Sequence, residues 1–230
     1  MAKSPLILLH GALGAQSQFG PWLPLLEQDF ELHLLEFEGH GGQPFADRPF
    51  AIAHFAENLE QYITQNGLDR PNIFGYSMGG YVALWLSLRR PELIGKLFTF
   101  ATKLDWNPTG AAKEVKMLDI PTILEKVPKF ATMLEARHHG NEWQEHLRRT
   151  AAMMLEMGNE PPLKTEDFPK VSIPVRMGIG DRDTMVTLEE TIAAYRAIPG
   201  AELFVMPSTP HPIEKMDAGR ICGVIREWFG

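Results

Sequence analysis

Apolar residues follow two alternating patterns along the chain. Short, nearly unbroken apolar runs stand at 6–9, 31–37, 72–76, 96–101, 175–179 and 201–206. Runs of this kind read as strands buried on both faces. Between them, apolar positions recur at helical spacing: Ile52, Phe55, Leu59, Tyr62 and Ile63, then Leu188, Ile192, Tyr195 and Ile198, then Ile221, Val224, Ile225 and Trp228. A further helix over 81–90 follows the third strand and is closed by Pro91. Strand alternating with helix predicts an α/β fold: a doubly wound, mostly parallel sheet of about six strands with helices on both faces.

Residues 103–172 break that rhythm. They hold no convincing strand, and their helical pieces are separated by Pro121, Pro128 and Pro161-Pro162. The clearest helix has Asn141 as its expected N-cap, carries Trp143, Leu147, Ala151, Met154 and Leu155, and stops at Gly158. About seventy residues are too many for a plain connection between two strands. The expectation is a helical insertion before the fifth strand, lying over one edge of the sheet. It is not an independent domain, and residues 1–102 and 173–230 form the core around it.

Composition narrows the function classes. The 230 residues are 44% hydrophobic, enough to fill a sizeable core, and the net charge of −7 disfavours nucleic acid as a partner. One cysteine among them excludes an internal disulfide and fits a reducing, cytoplasmic setting. The apolar run at 6–9 is too short for a signal segment, and no stretch approaches the ~18 apolar residues of a membrane span.

Four stretches carry chemistry. Gly75-Tyr76-Ser77-Met78-Gly79-Gly80 joins the third apolar run to a helix. A Ser at such a turn presents its hydroxyl outward, and the flanking glycines permit close backbone approach. His10-Gly11-Ala12-Leu13-Gly14 follows the first run. Such a loop can aim a backbone N–H at a developing oxyanion, with Ala12 the first choice of donor and Leu13 the second; the N–H of Met78 would complete the pair. Gly180-Asp181-Arg182-Asp183 follows the fifth run, where a carboxylate can orient a histidine, and one of the two Asp residues, Asp181 by preference, serves the turn instead. Pro210-His211-Pro212 follows the last run and puts a histidine on the same edge of the sheet.

In this order the motifs resemble the α/β-hydrolase superfamily, over all but the inserted segment. Glu36-Phe37-Glu38-Gly39-His40-Gly41 is similar to a further family turn, with Glu36 where the family has Asp. The resemblance implies Ser77 as nucleophile, His211 as base and Asp183 as acid, with the insertion as a cap over the active site. Asp105, after the fourth strand, is a competing acid. The activity implied is hydrolysis of an ester or thioester of a small, mainly apolar acyl group through an acyl-Ser77 intermediate. No cofactor and no metal are expected. Non-hydrolytic or C–C-cleaving enzymes on the same triad, and receptor-like binding proteins, are the alternatives. The menaquinone-pathway synthase of the superfamily keeps an Arg where this chain has Tyr81.

Other features have plain readings. His138, His139 and His146, with Glu142 and Glu145, read as solvated helix faces. Cys222 reads as inert core. Met117, Met133, Met153, Met154 and Met157 read chiefly as helix packing, with a pliable pocket wall as the lesser reading.

Overall fold

The structure is a computed structural model that describes residues 3–230. Six strands form one parallel sheet: β1 (Ser4–Leu9), β2 (Phe30–Leu35), β3 (Asn72–Tyr76), β4 (Leu97–Phe100), β5 (Val175–Gly180) and β6 (Glu202–Met206), in the order β2-β1-β3-β4-β5-β6. Every strand run expected from the sequence is present, with ends that differ by at most two residues.

Alternation along each strand divides the core. Ile7, Leu9, Ile73, Leu97, Val175 and Met177 pack on one face with α2 (Ile52–Gln65), α3 (Met78–Ser87) and α8 (Leu188–Ala197). Leu6, Leu8, Phe74, Phe98, Phe100 and Met206 pack on the other, with α1 (Leu23–Leu26) and α9 (Ala218–Phe229). Cys222 is fully buried among the latter. The chain leaves β1 toward β2 and returns to β3 on the opposite side. The crevice between the C-terminal ends of β1 and β3 is therefore a topological switch point, where open α/β sheets bind ligands.

Between β4 and β5 lie α4 (Pro108–Lys116), α5 (Ile120–Lys126), α6 (Pro128–Arg137) and α7 (Trp143–Asn159). They share a small core of Ile123, Ala131, Leu134 and Leu147. Three local expectations need correction. Helix α3 spans Met78–Ser87 rather than 81–90, because Gly79 and Gly80 are already helical and Arg90, preceding Pro91, is held out of the helical region. The buried stripe of α8 is Thr191, Ala194 and the following Ile198, while Leu188, Ile192 and Tyr195 are only half-buried. Asn141 does not cap α7; Glu142 holds that position, and α7 runs one residue past Gly158. The Asn141 amide instead donates to the carbonyls of Gln43 (2.6 Å), Gly41 (3.3 Å) and Gly39 (3.4 Å). Among the described residues, no helix is long and apolar enough to cross a membrane.

Candidate active site

Ser77 sits on the turn from β3 into α3 with φ 52° and ψ −116°. A non-glycine residue there stores strain of about 1–3 kcal/mol, and it persists only where its surroundings hold it. The holding contacts are explicit. The Ser77 N–H donates to Phe100 O at 2.8 Å, and Ser77 O accepts from the Thr102 hydroxyl at 3.0 Å and the Gly80 N–H at 3.1 Å. The glycines are required by space: a Cβ on Gly79 would stand 2.6 Å from Leu9 O, and one on Gly75 would stand 2.5 Å from Gly80 Cα.

The loops after β5 and β6 bring Asp183 and His211 together. His211 Nδ1 lies 2.8 Å from Asp183 Oδ2, and the Asp183 side chain is 1% exposed. Asp183 Oδ1 accepts from the N–H groups of Met185 and Val186, each at 2.9 Å. A carboxylate acceptor puts the ring proton on Nδ1 and leaves Nε2 as an acceptor. The Tyr76 hydroxyl donates to the His211 carbonyl at 2.9 Å, tying this loop to the residue before Ser77. Asp181 serves the turn, accepting from Thr209 N–H at 3.1 Å. Asp105 is exposed, and its carboxylate meets only the Asn107 amide at 3.5 Å. It does not reach His211.

The His10–Gly14 loop abuts the Ser77 turn so closely that a Cβ on Gly11 would lie 3.1 Å from Ser77 Cβ. Leu13 has φ 59°. Its carbonyl accepts from Arg137 Nη1 at 2.9 Å and from His138 Nε2 at 3.2 Å, so α6 and the residue after it fasten the loop that carries Ala12. The roles of Tyr76 and Arg137 escaped the sequence reading, because their partners lie on elements remote in the chain.

His138 and His146 are not solvated, contrary to expectation. They are fully buried with His10 and His40, and the His138 and His146 rings stack at 4.1 Å. His146 Nδ1 donates to Gly39 O at 2.8 Å and His138 Nδ1 accepts from Gly41 N–H at 3.0 Å, so both dock the inserted helices on the Gly39-His40-Gly41 turn. Burial first, and then the positive charge of Arg137 and of neighbouring histidines, holds His10 and His146 at about 3 and His138 at about 4, and lowers His40 well below the ordinary value. All four are neutral at pH 7. The unfolded chain, with histidines near 6.5, binds more protons than the native state as pH falls from there toward 4, so acid removes stability. Each histidine contributes a slope of at most about 1.4 kcal/mol per pH unit in that window. Thermal melts from pH 8 to pH 4 are expected to hold level above pH 7 and fall steeply below 6.5. A melting temperature unchanged down to pH 4.5 would contradict the assignment of neutral histidines.

Two cavities flank Ser77. The larger, about 310 Å³, is lined by Ala12, Tyr76, Ser77, Glu114, Arg137 and His211 together with Met117, Met133 and Met154. The smaller, about 50 Å³, is lined by Ala12, Ser77, Met78 and Tyr81 with Met153, Met154 and Met157. All five methionines of the insertion singled out above line these cavities, so the pocket-wall reading holds beside the packing one: Met153 and Met157 are also buried in the main core, and Met133 packs against the core of the insertion.

Comparison with known proteins bears on the family and the fold. A family model described as alpha/beta hydrolase fold matches residues 4–181. The chain belongs to the α/β-hydrolase fold family. This α/β-hydrolase is 34% identical over 97 residues to a pimeloyl-[acyl-carrier protein] methyl ester esterase of Neisseria meningitidis, covering 42% of this chain and 35% of that protein. It is 31% identical over 102 residues to a human serine hydrolase-like protein, covering 44% of this chain and 50% of the other. The chain thus spans between a third and a half of these curated relatives. Among solved structures, a hydrolase from Pseudomonas aeruginosa PA01 superposes with a TM-score of 0.81 at 18% identity, covering 99% of this chain and 90% of that one. The enol-lactonase of Burkholderia xenovorans LB400 superposes with 0.78 at 16% identity, covering 99% and 92%. At these identities the structures speak to the fold alone.

Proposed function

We propose that this α/β-hydrolase cleaves esters or thioesters of small, mainly apolar acyl groups through an acyl-Ser77 intermediate. The observation that carries the reading is the Asp183–His211 contact at 2.8 Å, with His211 and Ser77 lining one cavity. His211 Nε2 takes the Ser77 proton as Oγ attacks the substrate carbonyl. The N–H groups of Ala12 and Met78 stabilise the oxyanion. The tetrahedral adduct collapses, the departing alcohol or thiol takes the proton from His211, and the acyl group stays on Ser77. Water, deprotonated by the same Nε2, then attacks the acyl carbonyl and releases the acid, returning the proton to Ser77. The chemistry draws on no cofactor. Acyl and leaving groups can occupy the two cavities on either side of Ser77, with the methionine walls yielding to fit them. Against a lyase that clamps a carboxylate beside the elbow stands Tyr81, whose hydroxyl oxygen accepts from Leu163 N–H at 2.9 Å.

The direct test is a panel of p-nitrophenyl esters from C2 to C12 with acyl-CoA thioesters, run on wild type and Ser77→Ala. Turnover confined to wild type supports the reading. A fluorophosphonate is expected to label the protein once, on Ser77, since only a base-activated hydroxyl reacts readily. An adduct mapped to another residue, or none at millimolar reagent, counts against it.

A further inference from the structure

The larger cavity holds one polar group that this chemistry leaves unused. Glu114, on α4, is 5% exposed, and its Oε2 is buried with no hydrogen-bond partner. It lines the same cavity as Ser77 and His211. The other polar groups of that wall are already paired: Gln18 Nε2 and Arg137 Nη2 both donate to Glu214 Oε1, at 2.8 and 2.6 Å. The same lining carries the apolar side chains of Met117, Leu118, Phe130, Met133 and Met154. The nearby ammonium of Lys103 is turned to Met185 O at 3.5 Å and lies 4.0 Å from Glu190. A carboxyl oxygen buried without a partner bears its whole desolvation penalty, and Leu or Met at this position would bear none. Burial pushes the Glu114 carboxyl above the ordinary carboxylate value, against the pull of Lys103, Lys113 and His211.

Resting on the ester- or thioester-hydrolase reading above, we propose that Glu114 is a specificity-determining residue: it accepts a hydrogen bond from a donor group carried on an otherwise apolar substrate. The donor is a hydroxyl, an amide N–H or an ammonium. Within the substrate it lies on the acyl chain or on the leaving alcohol, whichever enters the larger cavity.

The test uses two ester series on wild type, Glu114→Gln and Glu114→Leu. One series comprises p-nitrophenyl alkanoates with plain, ω-hydroxy and ω-amino ends; the other comprises butyrates whose alcohol carries the same three ends. At the chain length that brings the donor to Glu114, kcat/KM for the hydroxy ester relative to its plain counterpart should be about ten- to a hundredfold higher in wild type than in Glu114→Leu. The difference should lie mainly in KM. Glu114→Gln, whose amide carbonyl still accepts, should keep the hydroxyl preference and lose any preference for the ammonium, which separates the two donors. Equal ratios in wild type and Glu114→Leu across both series would overturn the proposal, since a carboxyl that only holds solvent gives that result.

If wild type turns over no ester of either series, the hydrolase reading fails by itself. Glu114 is then judged by thermal shift with 1,n-alkanediols against 1-alkanols. A diol-specific stabilisation of wild type, absent in Glu114→Leu, supports the proposal, and equal shifts overturn it. Folding supplies a readout that separates a binding role from a structural one. A raised carboxyl value means that the native state holds its proton more tightly than the unfolded chain, so the residue destabilises as pH rises. Glu114→Gln should therefore melt at or above wild type at pH 8, with a gap that shrinks toward pH 5. A Gln variant that melts well below wild type at pH 8 would make Glu114 a structural residue and defeat the proposal.

Discussion

Replacing Ser77 with Ala is expected to lower kcat by about 10⁴–10⁶, and His211→Ala to do nearly the same. The two act as a unit: without the base the hydroxyl is a weak nucleophile, and without the hydroxyl the base has nothing to activate. The double variant should therefore be little worse than either single one. In Ser77→Ala the backbone stays in the same strained turn, because the contacts that hold it come from Phe100, Thr102 and Gly80 and not from the serine side chain. Both variants should fold, and a thermal melt run beside the kinetics separates lost chemistry from lost structure. The hydrogen bond from Tyr76 to the His211 carbonyl is likewise independent of the imidazole. A fall in kcat of less than tenfold in both variants, on folded protein and against the best ester of the panel, would sink the acyl-enzyme mechanism.

How much of this could be read in the sequence depends on whether a residue's surroundings are local. The six strands were legible because parallel strands covered on both faces carry unbroken apolar runs. Ser77, Asp183 and His211 were legible because each stands in a loop directly after such a strand, so the edge of the sheet gathers them whatever the helices do. Asn141 was misread for the converse reason. It has the composition of a cap, but its amide is taken by carbonyls of residues 39, 41 and 43, about a hundred positions away in the chain. His138 and His146 look like surface residues beside Glu142 and Glu145, and only the docking of the inserted helices on the Gly39-His40-Gly41 turn buries them. The same docking puts Arg137 on the Leu13 carbonyl and Glu114 on the cavity wall. The resemblance behind the Gly-His-Gly motif identified a turn, and its role as the seat of the inserted helices came from tertiary structure.

Asp183→Asn is expected to cost about 10⁴ in kcat, the magnitude associated with holding a catalytic histidine in the wrong tautomer. Substitution by Asn changes one oxygen to an NH₂ group, and the surroundings decide which. One carboxylate oxygen faces two backbone donors, Met185 and Val186 N–H, each at 2.9 Å. The amide oxygen must stay there, since an NH₂ would oppose two donors. The NH₂ group then faces His211 Nδ1 and donates to it, which forces the ring proton onto Nε2. An imidazole protonated at Nε2 cannot accept the Ser77 proton. The fold itself is little disturbed, because both backbone bonds and the bond to His211 survive with one polarity reversed. Asp181→Asn keeps an acceptor for Thr209 N–H and should retain most of the activity. Asp105→Asn should stay within about tenfold of wild type, as an exposed substitution remote from His211. Steady-state kcat for the three Asn variants at one pH decides the assignment: a crippled Asp105→Asn beside a near-normal Asp183→Asn would move the acid to the end of β4 and leave the 2.8 Å Asp183–His211 contact without a catalytic role.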